Sequence, residues 1–134
     1  MHAFILAAAL SFQPTPTLVA NDCVDAESNM EMTACTWQAY QDADKRLNEV
    51  WKKVIAEIKS RGADVIPADE QKLWLKGMID AEKAWATFKD ADCNVGVGNE
   101  WYGGSGRNLA VAACLRDHTE QRIDDLTARY NIQD

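Results

Sequence analysis

Positive charge is scarce in this 134-residue chain: 14 Lys and Arg face 21 Asp and Glu, a net charge of −7. That balance speaks against a protein that must neutralise phosphates, and so against nucleic acid and anionic membrane surfaces as partners. Histidine is scarcer still, with His2 and His118 alone. A Ser-His-Asp or Cys-His system therefore has only His118 to draw on after removal of a leader, and His118 reads as a surface residue. Long apolar runs are missing, since residues 3–12 (AFILAAALSF) fall well short of the roughly 20 residues a membrane span needs. The four cysteines contain no CxxC pair, which removes the pattern of zinc ribbons and thioredoxin-like redox sites. The glycines at 96–98 and 103–106 lack the strand, lysine and hydroxyl of a phosphate loop. No spacing singles out a carboxylate pair among the acids. The expectation is a non-enzymatic protein without cofactor or metal, built as one small domain.

What is present begins with that apolar run. Followed by Pro14 and Pro16 and by Ala20 before the polar Asn21, it reads as an export leader over residues 1–20, cleaved after Ala20. Four cysteines behind a leader read as disulfides. Three pairings are possible. The sequential one, Cys23 with Cys35 and Cys93 with Cys114, is favoured because each bridge closes a short local loop worth about 3 kcal/mol in the chain-entropy model.

Helical periodicity fills most of the remainder. Ser28-Asn29-Met30-Glu31 has the pattern of a capping box and predicts a helix start. Trp37, Tyr40, Asp44, Leu47, Trp51, Val54 and Ile58 then recur at spacings of three and four, as one long amphipathic helix ending near Gly62. Pro67-Ala68-Asp69-Glu70 predicts a second start. Leu73 or Trp74, Met78, Ala81, Trp85 and Phe88 carry its apolar face down to Cys93, and the short linker makes the first two helices antiparallel neighbours. Residues 94–106 (NVGVGNEWYGGSG) hold five of the seven glycines and predict the longest loop. A third helix from Arg107 carries Leu109, Ala112, Leu115, Thr119, Ile123, Leu126 and Tyr130. The fold class is all-α, a small antiparallel bundle of three long helices stapled by two disulfides.

One end of such a bundle gathers the unusual features. Residues 21–44 contain six acids (Asp22, Asp25, Glu27, Glu31, Asp42, Asp44) and neither Lys nor Arg. These acids suit a docking face for a basic partner, and equally the positive end of a helix dipole. The loop adds Glu100, Trp101, Tyr102, Gly103, Gly104, Ser105 and Arg107, combining the residue types that dominate interface hot spots with a permissive backbone. The plainer reading has Trp101 and Tyr102 covering the bundle's open end and Ser105 capping the third helix.

Residues 21–48 (NDCVDAESNMEMTACTWQAYQDADKRLN), 81–93 (AEKAWATFKDADC), 103–105 (GGS), Cys114 and the T-x-x-R at 119–122 resemble the family with a lysozyme inhibitor LprI-like N-terminal domain. The resemblance spans residues 21–134 and maps the four cysteines, the Asp44 to Asn48 stretch, Trp85, Lys89 with Asp90, and Gly103 to Ser105 onto the family pattern. Lys89 stands where many relatives have Arg. The resemblance implies a secreted or periplasmic protein that binds lysozyme or another basic cell-wall-associated protein; a monomer without stable membrane insertion is expected. The resemblance transfers no inhibitory residue. The loop is thus the expected contact, with Arg107 or Lys89 approaching the partner's catalytic carboxylates. The alternative is an envelope protein that binds another protein or a cell-wall component without inhibiting lysozyme.

Overall fold

The computed structural model describes residues 23–133, so the leader expected over residues 1–20 and its cleavage point lie outside the described residues. Three long helices run up, down and up: α1 (Asn29–Ser60), α2 (Ala68–Asp90) and α3 (Arg107–Tyr130), with no β-strand among the described residues.

The start of α1 follows from its capping residues. Ser28 Oγ accepts from the Glu31 N–H at 3.1 Å, and Glu31 Oε2 accepts from the Glu27 N–H at 3.0 Å. This is a capping box whose return bond lands one residue upstream. At the other end of α1, Arg61 leaves the helix in an extended conformation, and Gln71 of α2 donates to the carbonyls of Ile58 (3.1 Å) and Arg61 (2.7 Å). The Ile58 carbonyl also accepts from the Arg61 N–H at 3.3 Å, so a side chain of the second helix reinforces the end of the first and supplies a donor to the Arg61 carbonyl beyond it. At the far end of α3, Asn131 takes the left-handed conformation (φ 51°) and the Ile132 N–H returns to the Thr127 carbonyl at 3.0 Å.

The two parallel helices, α1 and α3, make the principal interface, and α2 lies more lightly against both. The short linker does make α1 and α2 antiparallel, but they are not the main packing pair. Fully buried positions on α1 are Thr36, Ala43, Leu47, Val50, Val54 and Ile58, a stripe that runs beside the expected one. Small Thr36 and Ala43 admit α3 closely, while Trp37, Tyr40, Asp44 and Trp51 sit half-buried along its edge. In α2 only Met78 and Lys89 are fully buried; of the alternatives Leu73 and Trp74 it is Trp74 that packs against the core, while Ala81 and Phe88, expected inside, are exposed.

The core has two parts. The larger joins Leu47, Val50, Val54, Ile58, Met78, Ile123 and Leu126 at the end where α1 and α3 finish. The smaller joins Cys93, Val111 and Leu115 under Trp37, Tyr40 and Cys114. Between them lies a polar layer. Arg122 donates from Nε (3.0 Å) and Nη2 (2.7 Å) to Glu82 Oε2, with both side chains largely buried, and Trp85 is flanked by Arg122 and by Lys89 Nζ at 4.9 Å from the ring centre.

Candidate functional site

The stretch from Asp90 to Gly106 departs most from expectation. Instead of ending at Cys93, the second helix continues through a seven-residue π-helical segment, Ala91–Val97, and a further turn, Gly98–Glu100. Glycines 96 and 98 therefore lie inside helical backbone, and the loop shrinks to residues 101–106. Each helical glycine costs roughly 1 kcal/mol relative to alanine, which here is outweighed by local ties. Cys93 is bonded to Cys114 of α3, Asn99 Nδ2 donates to the Val95 carbonyl at 2.6 Å, and the Arg107 guanidinium lies over Gly98. A Cβ on Gly98 would stand 3.3 Å from Arg107 Nη2, so the bare glycine lets the cation lie close.

The short loop is a tight turn. The Gly104 N–H returns to the Trp101 carbonyl at 3.0 Å with Gly103 at φ +76°, a conformation that side chains rarely adopt. Tyr102, at the turn's tip, is 81% exposed, and Trp101 is 50% exposed. The Trp101 ring rests on Gly106, where an added Cβ would meet it at 2.9 Å. Ser105 does not cap α3: Gly106 occupies that position without a side-chain bond, and the Ser105 carbonyl instead accepts from Asn29 Nδ2 at 3.2 Å. That bond ties the loop to the first turn of α1.

The second disulfide, Cys23–Cys35, anchors the segment before α1 at the same end, so the sequential pairing holds for both bridges. Asp25, Glu27 and Glu31 belong to this end, whereas Asp42 and Asp44 lie about four turns further along α1.

Of the residues expected to meet a partner, Glu100, Trp101, Tyr102, Gly103, Gly104, Ser105 and Arg107 are brought together and exposed. Lys89 is not among them. It is 5% exposed, donates to the Tyr40 hydroxyl at 3.4 Å, and lies against the rings of Tyr40 and Trp85. A lysine enclosed by two aromatic faces is held as structure and is withdrawn from contact with a partner.

His118 also departs from the surface reading. Its Nε2 lies 2.9 Å from Asp92 Oδ2, and its ring meets Phe88 edge-on at 5.4 Å. Asp92, Cys93, Cys114 and His118 place four ligand-type atoms within 4.8 Å of one another. Both sulfurs are joined to each other, so they offer neither the thiolates a metal takes nor a nucleophile for the histidine to activate. The sequence announces only the Cys93–Cys114 bridge of this cluster, and Asp92 and His118, 26 residues apart, join it without a local signal.

Behind Trp101 is a groove of about 510 Å³ between α1, the turn after the π segment, and α3. Met32, Leu109, Ala110 and Ala113 give it apolar walls, and Glu100 and Asp117 line it with carboxylates. Asp117 is held by Arg116, which donates from Nε (2.9 Å) and Nη2 (2.6 Å) to Oδ1. Of these groove residues the sequence pointed only to Glu100 and Trp101, along with Leu109 as a core residue.

The architecture is thus a three-helix domain stapled twice at one end, with an aromatic and glycine-rich turn beside an apolar groove. The model of the lysozyme inhibitor LprI family matches residues 20–126, and the chain belongs to that family. It is 31% identical over 115 residues to an uncharacterized protein of Rhizobium meliloti (strain 1021), covering 85% of this chain and 78% of that protein. No solved structure matches the chain.

Proposed function

We propose that the protein binds a basic lysozyme outside the cytoplasm and inhibits it without catalysing a reaction, using the end of the bundle that carries the 101–106 turn. The observation that carries this reading is the family match over residues 20–126. The two disulfides fit an oxidising compartment, and residues 1–20 supply the leader to reach it, leaving residues 21–134 as the mature domain. No helix among the described residues is long and apolar enough to cross a membrane.

Physically, a net charge of −7 accelerates encounter with a basic enzyme, and its benefit falls with added salt. Trp101 and Tyr102 then provide rigid anchors that lose little conformational entropy on docking. Arg107 is the cation of this end that can approach acidic groups in a lysozyme cleft, Lys89 being enclosed.

The test is lysis of cell-wall substrate by several lysozymes, each with and without excess oxidised protein. Stoichiometric loss of lysis with at least one enzyme is expected. Replacing Trp101 by Ala should weaken inhibition by about tenfold or more, the scale of an interface hot spot. Full lysis throughout would reject inhibition and leave a non-inhibitory envelope-binding protein.

A further inference from the structure

We infer that the groove behind Trp101 is a receptor for one arginine side chain displayed by a basic protein partner. The inference rests on the proposed function in taking its partner to be a basic protein, and it adds the chemical group recognised. Three features of the groove match that group. Its walls, Met32, Leu109 and Ala113, suit the methylene stem, which gains from apolar cover while its head stays near solvent. Its aromatic side is Trp101, held in place by contact with Gly106, and a guanidinium stacks on an indole better than an ammonium does because it is planar and weakly hydrated. Its carboxylates are Glu100 and Asp117.

Those two acids play different parts. Glu100 makes no side-chain hydrogen bond or ion pair among the described residues, so its charge is available to an incoming cation. Asp117 is already held through Oδ1 by Arg116, which fixes its direction while leaving Oδ2 to accept. A neutral apolar ligand would satisfy the walls and leave Glu100 without a counter-charge. An anionic ligand would face both carboxylates. The volume, about 510 Å³, lies in the range of binding sites and admits a long side chain with its flanking backbone.

The experiment titrates the oxidised protein, isotopically labelled, with n-butylguanidinium at constant ionic strength, following backbone amide resonances. The uncharged n-butylurea serves as the shape-matched control. Saturable shifts grouped around Val97, Glu100, Ala110 and Asp117, with no comparable effect from the urea, are expected. Glu100→Gln should weaken the guanidinium by about fivefold, the upper scale of one exposed charge pair. Ala113→Leu should abolish the response by filling the groove with both acids intact, and well-dispersed spectra would establish that each variant is folded. Equal binding of the urea, shifts centred elsewhere, or no saturable shift would each overturn the inference. Because the titration contains no lysozyme, its failure is separate from failure of inhibition, which the lysis assay reads by itself.

Discussion

The two ends of the bundle are held together by different means. At the end where α1 and α3 finish, Val54, Ile58, Ile123 and Leu126 are almost fully enclosed, Gln71 covers the last carbonyls of α1, and Trp74 stacks on Tyr130. At the other end the apolar cluster is small, both disulfides are present, and Trp101 and Tyr102 face solvent. Apolar burial needs large side chains turned inward. A covalent staple does not, so an end fixed by disulfides can keep its aromatics outside and its glycines in the backbone. The loop end is thus held without consuming the exposed surface proposed for recognition.

The largest effect should come from opening the apolar end. Leu126→Ala removes a side chain with no exposure and should cost about 4 kcal/mol in chemical denaturation, within the range for buried leucines. It should leave binding at the loop end unchanged. A loss near 1 kcal/mol would mean that this end collapses around the cavity and that the contrast between the ends is weaker than drawn. Next is the staple: replacing Cys93 and Cys114 together by Ala should cost about 3 kcal/mol. Amide hydrogen exchange should accelerate first over residues 91–106. Uniform acceleration across all three helices would show that the staple supports the whole bundle instead of its own end.

How far the sequence discloses each end follows from the same contrast. The third helix was legible because Leu115, Thr119, Ile123 and Leu126 are enclosed at the helical spacing on which the expectation rested. The second departs from its periodicity at Ala81 and Phe88 because its inward line includes Glu82 and Lys89, charged residues that periodicity assigns to solvent. Their burial becomes intelligible only with Arg122, Trp85 and Tyr40 supplied from all three helices. The π-helical segment was illegible for a related reason. Local propensity at Gly96 and Gly98 favours a loop, and what overrides it, the bond to Cys114 and the overlying Arg107, is tertiary. The candidate site was half visible: Glu100, Trp101 and Tyr102 stood out by type, while the groove depends on small residues, Ala110 and Ala113, that carry no signal alone.

The polar layer between the two ends gives an intermediate effect. Glu82→Gln leaves Arg122 with a neutral acceptor in a largely buried place. A fully buried pair loses roughly 3–5 kcal/mol when one partner is removed, and the retained amide oxygen and the contact with Trp85 reduce this to about 2 kcal/mol. Glu82→Gln combined with Arg122→Met should recover much of that loss, since replacing both charges removes the uncompensated cation. Failure to recover would indicate that the layer fixes how α2 sits between the ends.

The smallest effect is electrostatic and lies on the exposed faces of α1 and α2. Hydrogen bonding and charge attraction from Lys52 hold the Glu49 carboxyl below its ordinary value of 4.5, and Lys76 does the same for Asp80 below 3.8. A carboxyl whose value is depressed by folding contributes stability above its unfolded value and loses it as the pH falls through the folded one. Both contributions are therefore present at neutral pH and disappear under acid conditions, below about pH 4.5 for Glu49 and below about pH 3.8 for Asp80. Solvent and salt screen such pairs, so the expected change is a slight drop in Tm on acidification that is smaller at high ionic strength. Lys52→Gln with Lys76→Gln should flatten this part of the pH profile while leaving the proposed lysozyme inhibition intact. A loss of inhibition in that double variant would place part of the binding surface on the helix faces and break the assignment of recognition to the stapled end.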